Sequence, residues 1–105
     1  MARYVFAVQS NAADGLEQEY NEWYSGQHLK DVLACPGVVG ARRLTLADKQ
    51  ILPTPHVFKY FCLYEIELDD LQTFIDALMS RAGTERMPIN KAMGNSLPVF
   101  WQVIE

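Results

Sequence analysis

The sequence predicts an α+β fold of the ferredoxin-like kind, a four-stranded antiparallel sheet with two helices on one face. Three observations carry this. The spacing of apolar residues alternates between period two and period 3.6 in the order β-α-β-β-α-β. Both helical stretches are amphipathic, so each needs a sheet face to cover its apolar stripe. No internal repeat, low-complexity tract or linker interrupts the 105 residues, which suit one domain, 1–105. That order is the split βαβ pattern, in which the first and third strands are antiparallel neighbours.

Arg3 to Gln9 is the expected first strand, with Tyr4, Phe6 and Val8 on one face and Val5 and Ala7 on the other. Ser10 to Ala13 is a loop. Asp14 followed by Glu17 reads as a capping box. The first helix then carries Leu16, Tyr20, Trp23, Tyr24, His28, Leu29, Val32 and Leu33, and Cys35-Pro36-Gly37 ends it. Val38 to Leu46 is the second strand, with Arg42 and Arg43 on opposite faces; Ala47 to His56 is a loop holding Pro53 and Pro55. Val57 to Leu68 is the third strand, with Phe58, Tyr60, Cys62, Tyr64 and Ile66 on one face and Phe61 and Leu63 on the other. Asp69-Asp70 supplies an N-cap for a second helix through Leu71, Phe74, Ile75, Leu78 and Met79, which Gly83 closes. Thr84 to Ser96 reads as a polar, mobile segment with room for a short helical turn, and Leu97 to Ile104 as the last strand, containing Trp101.

Both faces of these strands are apolar, and helices cover only one. The other is too large an apolar patch for a stable monomer. The strands therefore predict a homodimer joined through the open sheet face.

Half the residues are hydrophobic and 21% are charged, which supports a packed core and excludes a disordered chain. A net charge of -4 with scattered basic residues argues against a nucleic-acid partner. No apolar run approaches the ~20 residues of a membrane span, and Met1-Ala2-Arg3 leads into a strand without a signal-peptide pattern. A cytoplasmic location is the expectation. Cys62 lies in an apolar run and reads as buried and inert; Cys35, before Pro36, reads as more exposed. With two His residues and no HxH, HxxxH or CxxC spacing, no metal site is expected, and glycines that stand singly give no dinucleotide or phosphate loop. No nucleophile elbow is visible.

The chemistry is concentrated between Tyr20 and Leu33. Tyr20, Tyr24 and His28, four residues apart, form one row on a helix, bordered by Trp23. Ser25-Gly26 sits mid-helix, where Gly costs ~1 kcal/mol against Ala, so a kink is expected. An imidazole titrates near neutrality and can move a proton from carbon or oxygen. Tyr24, one turn before it, is placed to bond the same substrate oxygen. The bland reading of His28 is a ring that caps a carbonyl freed by the kink. Trp23 has a core reading beside its reading as a pocket wall. Tyr60, Tyr64 and Phe58 have core or interface readings before that of a substrate-binding wall. Asn21 reads as solvated or bonded to the following loop. Arg42 or Arg43 can hold a carboxylate in a two-pronged contact, with surface pairing the plainer reading. His56 reads as a loop residue within reach of a pocket mouth.

The run Tyr20-Asn21-Glu22-Trp23-Tyr24, with His28-Leu29, Pro36-Gly37-Val38 and Ala41-Arg42-Arg43, resembles the EthD-like group of dimeric α/β-barrel proteins. The specific match is confined to about residues 20–43; the element order matches throughout. Relatives of this barrel include polyketide cyclases, a lactone isomerase, monooxygenases that need no cofactor, dye-decolourising haem enzymes and accessory proteins. The resemblance implies a pocket between sheet and helices with a His as acid/base or orienter. It also implies no haem, since haem-binding relatives are expected to be longer. Three functions follow. The first is a cofactor-free proton-transfer enzyme of isomerase, cyclase or lyase type on a small aromatic or polyketide-like compound. There His28 would be the acid/base, Tyr24 would polarise an oxygen, and Tyr20, Trp23, Tyr60 and Tyr64 would bind substrate. The second is a non-catalytic dimer that binds a small apolar or aromatic ligand. The third is a structural dimer with a vestigial pocket. A water-reachable His28 beside a cavity favours the first two; a sealed His28 with its nitrogens on backbone favours the third.

Overall fold

A computed structural model describes residues 2–53 and 55–105; Met1 and Thr54, the latter within the expected 47–56 loop, lie outside the described residues. The chain order is β1 (Ala2–Ala12), α1 (Glu17–Trp23), a π-helical turn (Tyr24–His28), α2 (Leu29–Leu33), β2 (Val38–Thr45), β3 (Tyr60–Leu68), α3 (Leu71–Arg81) and β4 (Met93–Gln102). The four strands form one antiparallel sheet in the order β2-β3-β1-β4. This is the βαββαβ ferredoxin-like fold, with β1 and β3 as antiparallel neighbours at its centre.

The register sorts the side chains. Phe6 lies opposite Tyr64 and Phe100, and Val8 opposite Cys62. These even-numbered residues meet the helices. The Phe6 ring packs on Phe74 of α3, and Tyr64 bonds Tyr24 at the end of α1. Both helical layers therefore cover one sheet face, and the core lies between them, with Tyr20, Tyr64 and Phe74 fully buried. On the opposite face the rows join Ala7 to Leu63 and Val99, and Val5 to Glu65 and Trp101. There Trp101 is 63% exposed and Leu97 45%.

Several boundaries depart from the sequence reading for identifiable reasons. β1 runs to Ala12 and β4 begins at Met93, because Gly94 lets the two backbones approach; a Cβ there would meet Asn11 O at 2.8 Å. The segment after Gly83 is anchored, since Met87 and Ala92 are completely buried and Gly83 N–H bonds Met87 O at 2.9 Å. Its start does form a single turn, with Met87 N–H on Thr84 O at 3.1 Å. β3 starts at Tyr60, which leaves Phe58 ahead of it, in a cleft with Phe61 and Leu63. Asp14 does not cap the first helix: Leu16 occupies the N-cap without a side-chain bond. Glu17 instead accepts from Lys59 Nζ at 2.6 Å and from the Tyr60 hydroxyl at 2.5 Å, tying the helix start to β3. Asp70 does cap α3, accepting from Gln72 N–H at 3.0 Å. Cys35 is buried, contrary to expectation, because the turn after α2 folds back and brings it into the core cluster. No helix among the described residues is long and apolar enough to cross a membrane.

Candidate functional site

The expected kink at Ser25-Gly26 is one wide turn, Tyr24–His28, in which Leu29 N–H bonds Tyr24 O, five residues back. Such turns are rare and recur at functional sites. The widening has a direct consequence. Trp23 and His28, five apart, would diverge on a regular helix; here their rings stack at 4.7 Å and 25°. The Tyr24 ring meets the other part of the row edge-on, 4.8 Å from His28 and 5.6 Å from Tyr20. An arginine braces the turn. Arg43 of β2 donates to Ser25 Oγ at 2.9 Å and Asn21 Oδ1 at 3.0 Å, and its guanidinium lies 4.6 Å from the Tyr24 ring centre. Arg43 thus has an intramolecular role that neither the carboxylate nor the surface reading anticipated. Asn21 is in the same network, donating to the Tyr60 hydroxyl at 3.2 Å.

Below this helix is a pocket of about 260 Å³, open to solvent past the exposed Met79 and Ile89, between the sheet, the wide turn, α3 and the 83–92 segment. His28, Tyr24 and Tyr64 supply polar tips to a wall otherwise made of residues such as Phe6, Val8, Leu78 and Met87. The Tyr24 and Tyr64 hydroxyls share a hydrogen bond of 3.1 Å. Burial holds the His28 imidazole down to about 4, so the ring is neutral at pH 7. Burial likewise pushes both phenols above their ordinary range, keeping them protonated. His28 Nδ1 and Trp23 Nε1 are buried and have no hydrogen-bond partner among the described residues, an arrangement that calls for an explanation.

The candidates thus divide. His28, Tyr24 and Tyr64 meet at the cavity. Tyr20, Trp23 and Tyr60 do not line it. Tyr20 shares a hydrogen bond with Ser10, Trp23 backs the imidazole, and Tyr60 belongs to the Glu17 and Asn21 network. His56 lines a separate surface groove with Asn11, Asp48 and Phe58. Sequence reasoning missed the far wall, Met87, Ile89 and Met93, which lies in the segment read as polar and mobile. The signal was there as apolar residues at 87, 89 and 93 among polar ones. Burial raises the Cys62 thiol's pKa, in keeping with an inert cysteine. Among the described residues no group of three or more His, Cys, Asp or Glu is placed to hold a metal ion.

Solved structures share this architecture. An EthD-family protein from Bacillus halodurans is 14% identical with a TM-score of 0.63, covering 99% of this chain and 100% of its own. The heme degrader MhuD from Mycobacterium tuberculosis, solved with two hemes in its active site, is 17% identical at 0.63, with 97% and 96% covered. A dimeric ferredoxin-like protein of unknown function from Thermobifida fusca is 9% identical at 0.55, with 97% and 92% covered. No family model and no curated protein matches the sequence. At these identities the likeness establishes the fold, that of the EthD-like group the residues resemble. It also corrects one expectation: MhuD binds hemes within a chain of this length.

Proposed function

We propose that the chain is a cofactor-free proton-transfer enzyme of isomerase, cyclase or lyase type acting on a small aromatic or polyketide-like compound, and that it works as a homodimer joined through the open sheet face. The observation that carries the catalytic reading is a buried, neutral imidazole with an unpartnered nitrogen at a cavity that also holds two protonated phenols. A ring sealed on backbone carbonyls would have spoken for a structural role; His28 Nδ1 has no such bond among the described residues. In the proposed step the imidazole takes a proton from a carbon next to a carbonyl. The Tyr24 and Tyr64 hydroxyls stabilise the enolate oxygen. The imidazolium then returns the proton to another carbon of the same compound. An imidazole whose conjugate acid has a pKa of about 4 is a weak base, so the substrate needs an acidified C–H. Two unpaired buried cysteines fit a reducing, cytoplasmic compartment. The dimer reading draws on the exposed sheet face and on the dimeric neighbour.

The test is hydrogen–deuterium exchange into the acidic carbons of phenylacetone and of small unsaturated lactones, followed by NMR in deuterated water. Exchange that depends on the wild-type protein and disappears in His28→Gln is the expected result. Equal exchange by His28→Gln overturns the catalytic reading.

A further inference from the structure

We propose that this pocket selects uncharged aromatic compounds bearing an oxygen function and rejects their anionic counterparts, arene carboxylates above all. The inference deepens the proposed function and uses the same cavity. None of the side chains that line it is Asp, Glu, Lys or Arg. Its polar side chains are two phenols, an imidazole and the Ser96 hydroxyl, which offer donors and acceptors but no formal charge. Arg43 packs on the Tyr24 ring, yet it does not line the cavity, and its guanidinium is committed to Ser25 Oγ and Asn21 Oδ1. A carboxylate seated against these walls would lose part of its hydration and find no countercharge, a costly kind of burial.

The cavity's own groups report the same environment. His28, Tyr24 and Tyr64 are each shifted toward the neutral form, with burial the largest cause in every case. A ligand's ionised group meets the same penalty. Size allows the ring. A sealed apolar cavity of about 150 Å³ holds benzene, so 260 Å³ is ample for a substituted ring. Tyr24 and Tyr64 belong to the wall with their hydroxyls bonded to each other and buried, so a substituent's oxygen would reach the pair as that mutual bond opens.

Benzamide and benzoate share a shape and differ in charge, which makes them the probes. Labelled protein is titrated with each at neutral pH while the His28 ring signals are followed by NMR, alongside Ala82→Phe, which narrows the cavity wall. The expected result is a saturable shift of the His28 signals with benzamide, binding at least ~10-fold weaker for benzoate, and loss of the benzamide shift in Ala82→Phe. Benzoate binding as tightly as benzamide overturns the inference, as does a failure of benzamide to move the His28 signals. Benzamide binding that persists unchanged in a folded Ala82→Phe protein overturns the location. These readouts are independent of turnover: exchange retained by His28→Gln ends the catalytic reading and leaves the selectivity standing.

Discussion

The His28 imidazole sits against the Trp23 and Tyr24 rings, and removing it from water holds its pKa down to about 4, against ~6.5 for a free histidine. Two predictions follow from that depression. Between pH 6.5 and about 4 the unfolded chain carries the proton and the native chain does not, so the native state binds fewer protons and unfolding becomes easier as pH falls. His28's contribution is complete above ~6.5 and is lost progressively down to about 4, amounting to ~3 kcal/mol. Urea unfolding of wild type and His28→Gln across that range isolates it from the carboxylates: the difference between the two proteins should change over this window, and a constant difference refutes the buried neutral ring. Catalysis gives the second. The acid limb of kcat/KM should fall near pH 4, not near the free histidine value. His28→Gln should lose ~10²–10⁴ in rate while still binding benzamide, and Tyr24→Phe should lose less, because Tyr64 retains its hydroxyl at the cavity. His28→Ala also vacates the space beside Trp23 and should cost ~1–3 kcal/mol of stability, so melting temperature must be measured on each variant for the rate to be interpretable.

The wide turn is the element that converts a tyrosine-rich helix into a site, and its cause is testable. Gly26 lies inside it, but a Cβ there would meet nothing within 4 Å, and its φ is not among the positive ones. The turn therefore does not depend on glycine, and Gly26→Ala should be neutral or stabilise by ~0.4–1 kcal/mol through the unfolded chain. Arg43→Met removes two side-chain hydrogen bonds and the contact with the Tyr24 ring, and should cost ~2 kcal/mol. Urea midpoints decide both; a destabilised Gly26→Ala beside an unaffected Arg43→Met would reverse the assignment. The helix starts supply a matching pair: Asp70→Ala should cost ~1 kcal/mol as a lost cap, and Asp14→Ala less than ~0.5 kcal/mol as an ordinary surface change. These contrasts also show what the sequence could convey. Element order and the Tyr20–Tyr24–His28 row were legible because period and spacing determine which residues share a face. Arg43's role was not, since it depends on β2 bringing that side chain over a helix eighteen residues earlier in the chain. Asp14 and Glu17 carried the right residue types for a capping box, but Lys59 and Tyr60, remote in sequence, took Glu17. Cys35 looked exposed because its neighbours are turn-forming, and the segment holding Met87 looked mobile because it is largely polar, while burial was settled by how those turns fold back on the core.

For the whole molecule the open sheet face sets the prediction. Trp101, Leu97 and Leu44 stand 63%, 45% and 42% exposed on the face opposite the helices, around the inner row of Ala7, Leu63 and Val99. An isologous pairing of two such faces covers them with the same residues of a second copy, and stable interfaces of the obligate kind bury ~2,000 Å² or more in total. Light scattering after size exclusion should give twice the 12.0 kDa chain mass. Leu97→Glu combined with Trp101→Glu should yield a folded monomer, because both side chains are already largely exposed in one chain and charges facing each other across the twofold repel. Met79→Glu, equally exposed but on the helix side, should leave the dimer unchanged. A wild-type protein that runs as a monomer at micromolar concentration, or a doubly charged face that still dimerises, removes the sheet-face interface. The cavity adds a consequence that separates assembly from chemistry. The side chains this chain gives to its lining lie on the helix side of the sheet or above it, away from the open face. The charged-face monomer should therefore bind benzamide at His28 with nearly wild-type affinity. A monomer that folds but loses that binding would mean the dimer shapes the cavity through the sheet, and the unit of function would be the pair of chains.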